Sequence, residues 1–124
     1  MANENLNIWA LLVGINRYKS YGIAPLTGCV NDVTSMQEFL TGPLGVPAQQ
    51  VKTLVNGEAT RAAILRNFKE FLIENPDIPH GSQLLFQFSG HGSQMPDTTG
   101  TEPDGLDETI VPYNSRTGQV FDIP

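Results

Sequence analysis

The sequence predicts an α/β fold with a mostly parallel central sheet, and two observations carry that prediction. First, Ile8-Trp9-Ala10-Leu11-Leu12-Val13-Gly14-Ile15 is apolar without alternation. A strand of that kind is buried on both faces, as in the middle of a parallel sheet. Second, strand-like and helix-like segments alternate along the chain, the pattern of parallel strands with crossover helices on both faces. The chain has 124 residues, so it is read as one domain spanning residues 1–124.

After the first strand, residues 16–28 form a loop rich in Gly, Pro, Ser and Tyr. Asn31 or Asp32 is placed to cap a helix. Val33, Met36, Phe39 and Leu40 give it one apolar stripe, and Thr41-Gly42-Pro43 stops it. Val51–Val55 reads as a second strand and Asn56-Gly57 as a turn. Thr60 caps a second helix, whose predicted stripe is Ile64, Leu65, Phe68, Phe71 and Leu72, ending at Asn75-Pro76. Gln83–Phe88 is the third strand, and it runs straight into Ser89-Gly90-His91-Gly92-Ser93-Gln94. Thr109–Pro112 reads as a short strand, and Arg116–Val120 as the turn and return of a small hairpin. A sheet of three parallel strands has a bare edge, so the fold is expected to be incomplete at its C-terminal side.

Composition narrows the function. The formal net charge is −6, which disfavours binding to a nucleic-acid backbone, since that needs Lys and Arg to displace counterions. No apolar run approaches the ~20 residues of a membrane helix. The N-terminus carries no secretion signal, so a cytoplasmic location is the expectation. The single cysteine excludes an internal disulfide framework and a cysteine-based zinc site. Asp97, Glu102, Asp104, Asp107 and Glu108 cluster in a stretch without Lys or Arg. That stretch reads as a solvated acidic loop, a divalent-cation site or a surface for cationic substrates.

Ligands of open α/β sheets bind beyond the carboxyl ends of the strands, and the chemistry-bearing residues collect there. His91 lies between two glycines just past the third strand, where an imidazole can act as general acid or base near neutral pH. His80 falls at the other end of that strand, where a structural or solvent role is expected. Cys29 reads as a small packing residue or as a nucleophile paired with His91. Asp32 reads as a helix cap or as a carboxylate that receives a cationic substrate group.

Four segments in order resemble the caspase-like peptidases, and the metacaspase branch in particular. Ala10-Leu11-Leu12-Val13-Gly14-Ile15-Asn16 resembles the family's first strand, and Leu26-Thr27-Gly28-Cys29-Val30-Asn31-Asp32-Val33 the start of its first helix. Phe88-Ser89-Gly90-His91-Gly92-Ser93-Gln94 resembles the catalytic-histidine motif. Glu102–Pro112 resembles the acidic segment that follows it. The resemblance runs from about Ile8 to Ile123. It implies a caspase-hemoglobinase α/β/α sandwich and a cysteine endopeptidase that cuts after Arg or Lys. His91 is then the catalytic histidine, and the Gly92 N–H part of the oxyanion hole. Asp32 and Ser89 line the specificity pocket, with Cys29 beside it.

Many metacaspases require calcium, and Asp107 falls where the family has an acidic ligand. The family's double-aspartate segment is matched only by Phe121-Asp122-Ile123-Pro124. In caspase-like sequences the nucleophilic Cys follows the histidine by about 50 residues. The expectation is therefore a large-subunit portion that is inactive alone, its nucleophile supplied by the remainder of the catalytic domain. The alternatives are a non-catalytic caspase-like interaction module and residual activity through Cys29 and His91.

Overall fold

A computed structural model describes residues 7–96 and 105–124. Its central element is β1 (Ile8–Gly14), buried along its whole length. β2 (Val51–Val55) and β3 (Gln83–Ser89) flank it, both parallel to it, in the order β2-β1-β3. Side chains of β1 alternate between two cores. Trp9, Leu11 and Val13 pack with Leu54, Ile64 and Leu72 on one face. Ala10 and Leu12 pack with Val33, Leu40 and Val46 on the other. That is why the run has no polar positions: each residue is covered by a helix from one side or the other.

Helix α1 (Cys29–Thr41) covers the second face. The expected cap is corrected here. The N-cap residue is Gly28, and neither Asn31 nor Asp32 caps the helix. The capping oxygen comes from Asn16, whose Oδ1 accepts the N–H groups of Cys29 (2.8 Å) and Val30 (3.3 Å). Gly14 makes this approach possible. A Cβ there would sit 2.6 Å from the Cys29 carbonyl oxygen and 2.6 Å from Val33 Cγ2.

Helix α2 (Arg61–Asn67) lies on the first face, with Thr60 capping it by accepting the Ala63 N–H at 3.2 Å. It continues as a π-helical stretch over Phe68–Ile73. Of the five predicted stripe residues only Ile64 and Leu72 are fully buried. Leu65 and Phe68 are exposed and line an apolar hollow of about 440 Å3 with Phe86, Ile110 and Ile123.

The C-terminal part differs from expectation in detail. The hairpin is made by β4 (Gly92–Pro96) and β5 (Leu106–Ile110), antiparallel, with Gly92 opposite Ile110. Residues 116–120 form a turn only, and the return is a single bridge between Ile110 and Ile123. Ile110, Tyr113 and Ile123 pack on the α2 side of the sheet. The chain therefore leaves β1 toward the α1 face and leaves β3 toward the α2 face. A crevice opens between the carboxyl ends of two adjacent strands whose connections diverge in this way.

Candidate functional site

The crevice is walled by the loop after β1 and by the Ser89–Gly92 segment. Asn56 braces the loop. Its backbone is left-handed (φ 47°), and its Oδ1 accepts the N–H groups of Asn16 (2.9 Å) and Arg17 (3.1 Å). Ser89 is the last residue of the β1–β3 ladder, and its carbonyl accepts the Ile15 N–H at 2.9 Å.

His91 is fixed at three points. Its N–H donates to the Tyr18 hydroxyl at 2.9 Å, and its carbonyl accepts the Val111 N–H at 3.0 Å. Its ring Nε2 lies 2.8 Å from the Ala24 carbonyl oxygen. A carbonyl can only accept, so Nε2 carries the proton, and in the neutral ring Nδ1 is the free base. The Tyr18 ring packs against the imidazole, with centroids 5.4 Å apart. Gly90 leaves room for this contact, since a Cβ there would come within 2.8 Å of both Tyr18 Oη and Phe88 Cζ.

Among the hollows at this end of the sheet, two hold the residues the sequence singles out. A groove of about 320 Å3 between α1 and β3 is lined by Asp32, Ser35, Met36, Phe39, Gln87 and Ser89. Because Asn16 performs the capping, the Asp32 carboxylate is exposed and free to face a ligand. A second cleft of about 180 Å3 holds His91 and Gly92 together with Ala24, Ser93 and Arg116. Asp32 and Ser89 thus share one groove, and His91 and Gly92 share the other cleft. Cys29 lines neither. It stands at the start of α1, half-buried, next to Asp32.

Burial, and then the negative charge of Asp32, push the Cys29 thiol above its ordinary range. That is the reverse of an activated cysteine, which needs a stabilised thiolate. Burial also pushes the Tyr18 phenol up, against the lowering effect of the bond from His91. His80 is exposed at the amino end of β3, as expected.

Asp107 lies on β5 opposite Met95. Among the described residues no three His, Cys, Asp or Glu side chains come together as a metal site. Asp122 is engaged with Arg116 at 3.1 Å and with Thr109 at 3.4 Å. Calcium takes six to eight oxygens, so the described residues by themselves do not fit a calcium cage. Asp97, Glu102 and Asp104 lie outside the described residues. Among the described residues no helix is long and apolar enough to cross a membrane.

A family model for the metacaspase, peptidase C14 domain matches residues 9–123. The chain belongs to that family. It is 38% identical to Metacaspase-1A of Aspergillus oryzae in an alignment that covers 91% of this chain and 27% of the relative. It is 37% identical to Metacaspase-1 of Emericella nidulans, covering 28% of that protein. The chain therefore spans little more than a quarter of the curated relatives it matches. The crystal structure of a Geobacter sulfurreducens protein superposes with a TM-score of 0.67 at 31% identity, over 88% of this chain and 40% of that one. The α/β fold is thus the caspase-like fold of metacaspases.

Sequence reasoning singled out His91, Asp32 and Ser89 but not the groups that hold them. Tyr18, Ala24 and Asn16 act across long sequence separations, Tyr18 and Ala24 on His91 and Asn16 on α1. The Ala24 contribution is a main-chain oxygen, for which the side-chain sequence carries no signal.

Proposed function

We propose that this chain is the histidine-bearing part of a C14 cysteine endopeptidase that cuts after Arg or Lys. One observation carries the reading: the imidazole of His91 is anchored through Nε2 to the Ala24 carbonyl, so Nδ1 is presented as the base. A cysteine thiol from the remainder of the catalytic domain gives its proton to His91 Nδ1. The thiolate attacks the peptide carbonyl, and the imidazolium then protonates the leaving amine. The Gly92 N–H is assigned to the developing oxyanion. Asp32 replaces the water lost by a guanidinium or ammonium in its groove, and Ser89 adds a hydroxyl. Met36 and Phe39, in the same groove, suit the aliphatic stem of such a side chain. A reducing compartment such as the cytosol suits a thiol peptidase. Asp107 is kept as one carboxylate toward a calcium whose other ligands lie elsewhere. Loss of cleavage on chelation, restored by calcium, checks that assignment.

The test is cleavage of arginyl and lysyl peptides by the complete catalytic domain. His91→Ala should lower kcat by roughly 10^3-fold or more, on the scale of losing a catalytic base. Asp32→Asn should raise KM for both substrates. A second reading, a non-catalytic interaction module, is favoured by Cys29, the only thiol of this chain, which lines neither hollow and whose pKa burial and Asp32 push up. Under that reading no peptide is cleaved, and His91→Ala changes nothing.

A further inference from the structure

The Asp32 groove and the His91 cleft differ in charge, and a third hollow beyond Gly92 and Ser93 carries Glu108. Among the described residues the Asp32 groove has one carboxylate and no basic side chain. Among the described residues the His91 cleft has one cation, Arg116, and no acidic side chain, in a chain with 13 acidic and 7 basic residues. Arg116 is held in an unusual way. Its backbone is left-handed (φ 61°), a conformation that costs a non-glycine residue energy and points to a use for the side chain. The Arg116 N–H donates to the Val120 carbonyl at 2.9 Å. Its Nη2 donates to Ser93 Oγ and to Asp122 Oδ2, each at 3.1 Å.

Those bonds use one end of the guanidinium. Nε and Nη1 have no hydrogen-bond partner among the described residues. The arginine side chain is 52% exposed and that of Asp122 only 15%. Asp122 does not line this cleft; it pairs with the guanidinium from an adjoining hollow, and the outer part of Arg116 faces the cleft. Ser89 in the groove and His91 in the cleft are two residues apart, a span of at most about 7 Å. Adjacent residues of an extended peptide, which point to opposite sides, match that separation.

We propose that the His91 cleft is a subsite for an acidic residue on the leaving side of the cut bond, with Arg116 as the residue that selects it. This rests on the peptidase reading and extends it: the preferred substrate carries a cationic residue followed by an anionic one.

The experiment measures binding, by calorimetry on the complete protein, of two peptides with the same reduced, uncleavable bond after Arg. One carries Glu immediately after that bond, the other Gln. The Glu peptide should bind roughly 3- to 10-fold more tightly, and the gap should shrink as salt rises. Arg116→Gln should remove the gap, and Arg116→Lys should keep part of it. Equal affinity in the wild type, or a gap that survives Arg116→Gln, overturns the proposal. The wild-type comparison and the Lys variant decide it even if Arg116→Gln fails to fold. The two readings fail separately. A protein that prefers Glu but cleaves nothing keeps the subsite and loses the peptidase. One that cleaves Arg-Glu and Arg-Gln substrates equally keeps the peptidase and loses the subsite.

Discussion

Tyr18→Phe isolates one atom of the His91 anchorage. The substitution keeps the ring that packs 5.4 Å from the imidazole and removes only the oxygen that accepts the His91 N–H. A hydrogen bond of 2.9 Å in a half-buried setting contributes about 1 kcal/mol net, and water can reach the abandoned N–H, so the cost stays near that value. With an unfolding entropy of about 2.1 cal/mol/K per residue over this chain, a loss of that size lowers Tm by about 4 °C. Far-UV circular dichroism melts at pH 7 measure it.

The effect has a pH signature. Burial raises the Tyr18 phenol above its ordinary value of 10.0, so the folded state favours the protonated form. The stability linked to that phenol is fully present below pH 10 and is lost as pH rises through the raised native value. The wild type should therefore destabilise more steeply than Tyr18→Phe above pH 10, and the gap between them should narrow. Hydrogen exchange at the His91 amide should quicken at neutral pH. An unchanged Tm together with unchanged exchange at that amide would show that Tyr18 does not hold the histidine.

Two other perturbations follow from packing and charge. Gly14→Ala drives a Cβ into the Cys29 carbonyl and Val33 at 2.6 Å; because main chain is struck, a loss of about 1–3 kcal/mol is expected. Chemical denaturation measures it, and a variant as stable as the parent would contradict the close approach of β1 and α1. Alkylation of Cys29 by iodoacetamide should be slow at neutral pH and rise with a midpoint above that of an ordinary thiol. Asp32→Asn removes a negative charge beside it, so the midpoint should fall and the rate at pH 8 increase; an unchanged profile would refute the coupling.

The parallel sheet and the central place of its first strand were legible because β1 is apolar at every position, and Thr60 and Gly42 mark helix ends by local chemistry. The α1 cap was not legible. Asn16 precedes the helix by 13 residues, and only the fold brings its amide there. β4 carries no strand signal of its own, since Gly92 and Pro96 have poor strand propensity; pairing with β5 makes the strand. Leu65 and Phe68 have the right period to be core, yet they border an apolar hollow. In the site, His91 was legible from its glycines. Its placement in a different cleft from Asp32 and Ser89 was not, because it depends on β3 handing the chain to the opposite face from α1.

The partner that orients the imidazole is a main-chain oxygen, and this shapes how the site can decay or drift. No codon change at residue 24 deletes a carbonyl, so the hold on the His91 ring is insulated from the commonest kind of mutation at that point. Its vulnerable neighbour is Pro25, whose ring restricts the backbone of Ala24 to extended shapes and so aims the oxygen. Replacing that proline, or altering the length of the segment around it, would leave every reactive side chain in place and still set the imidazole loose.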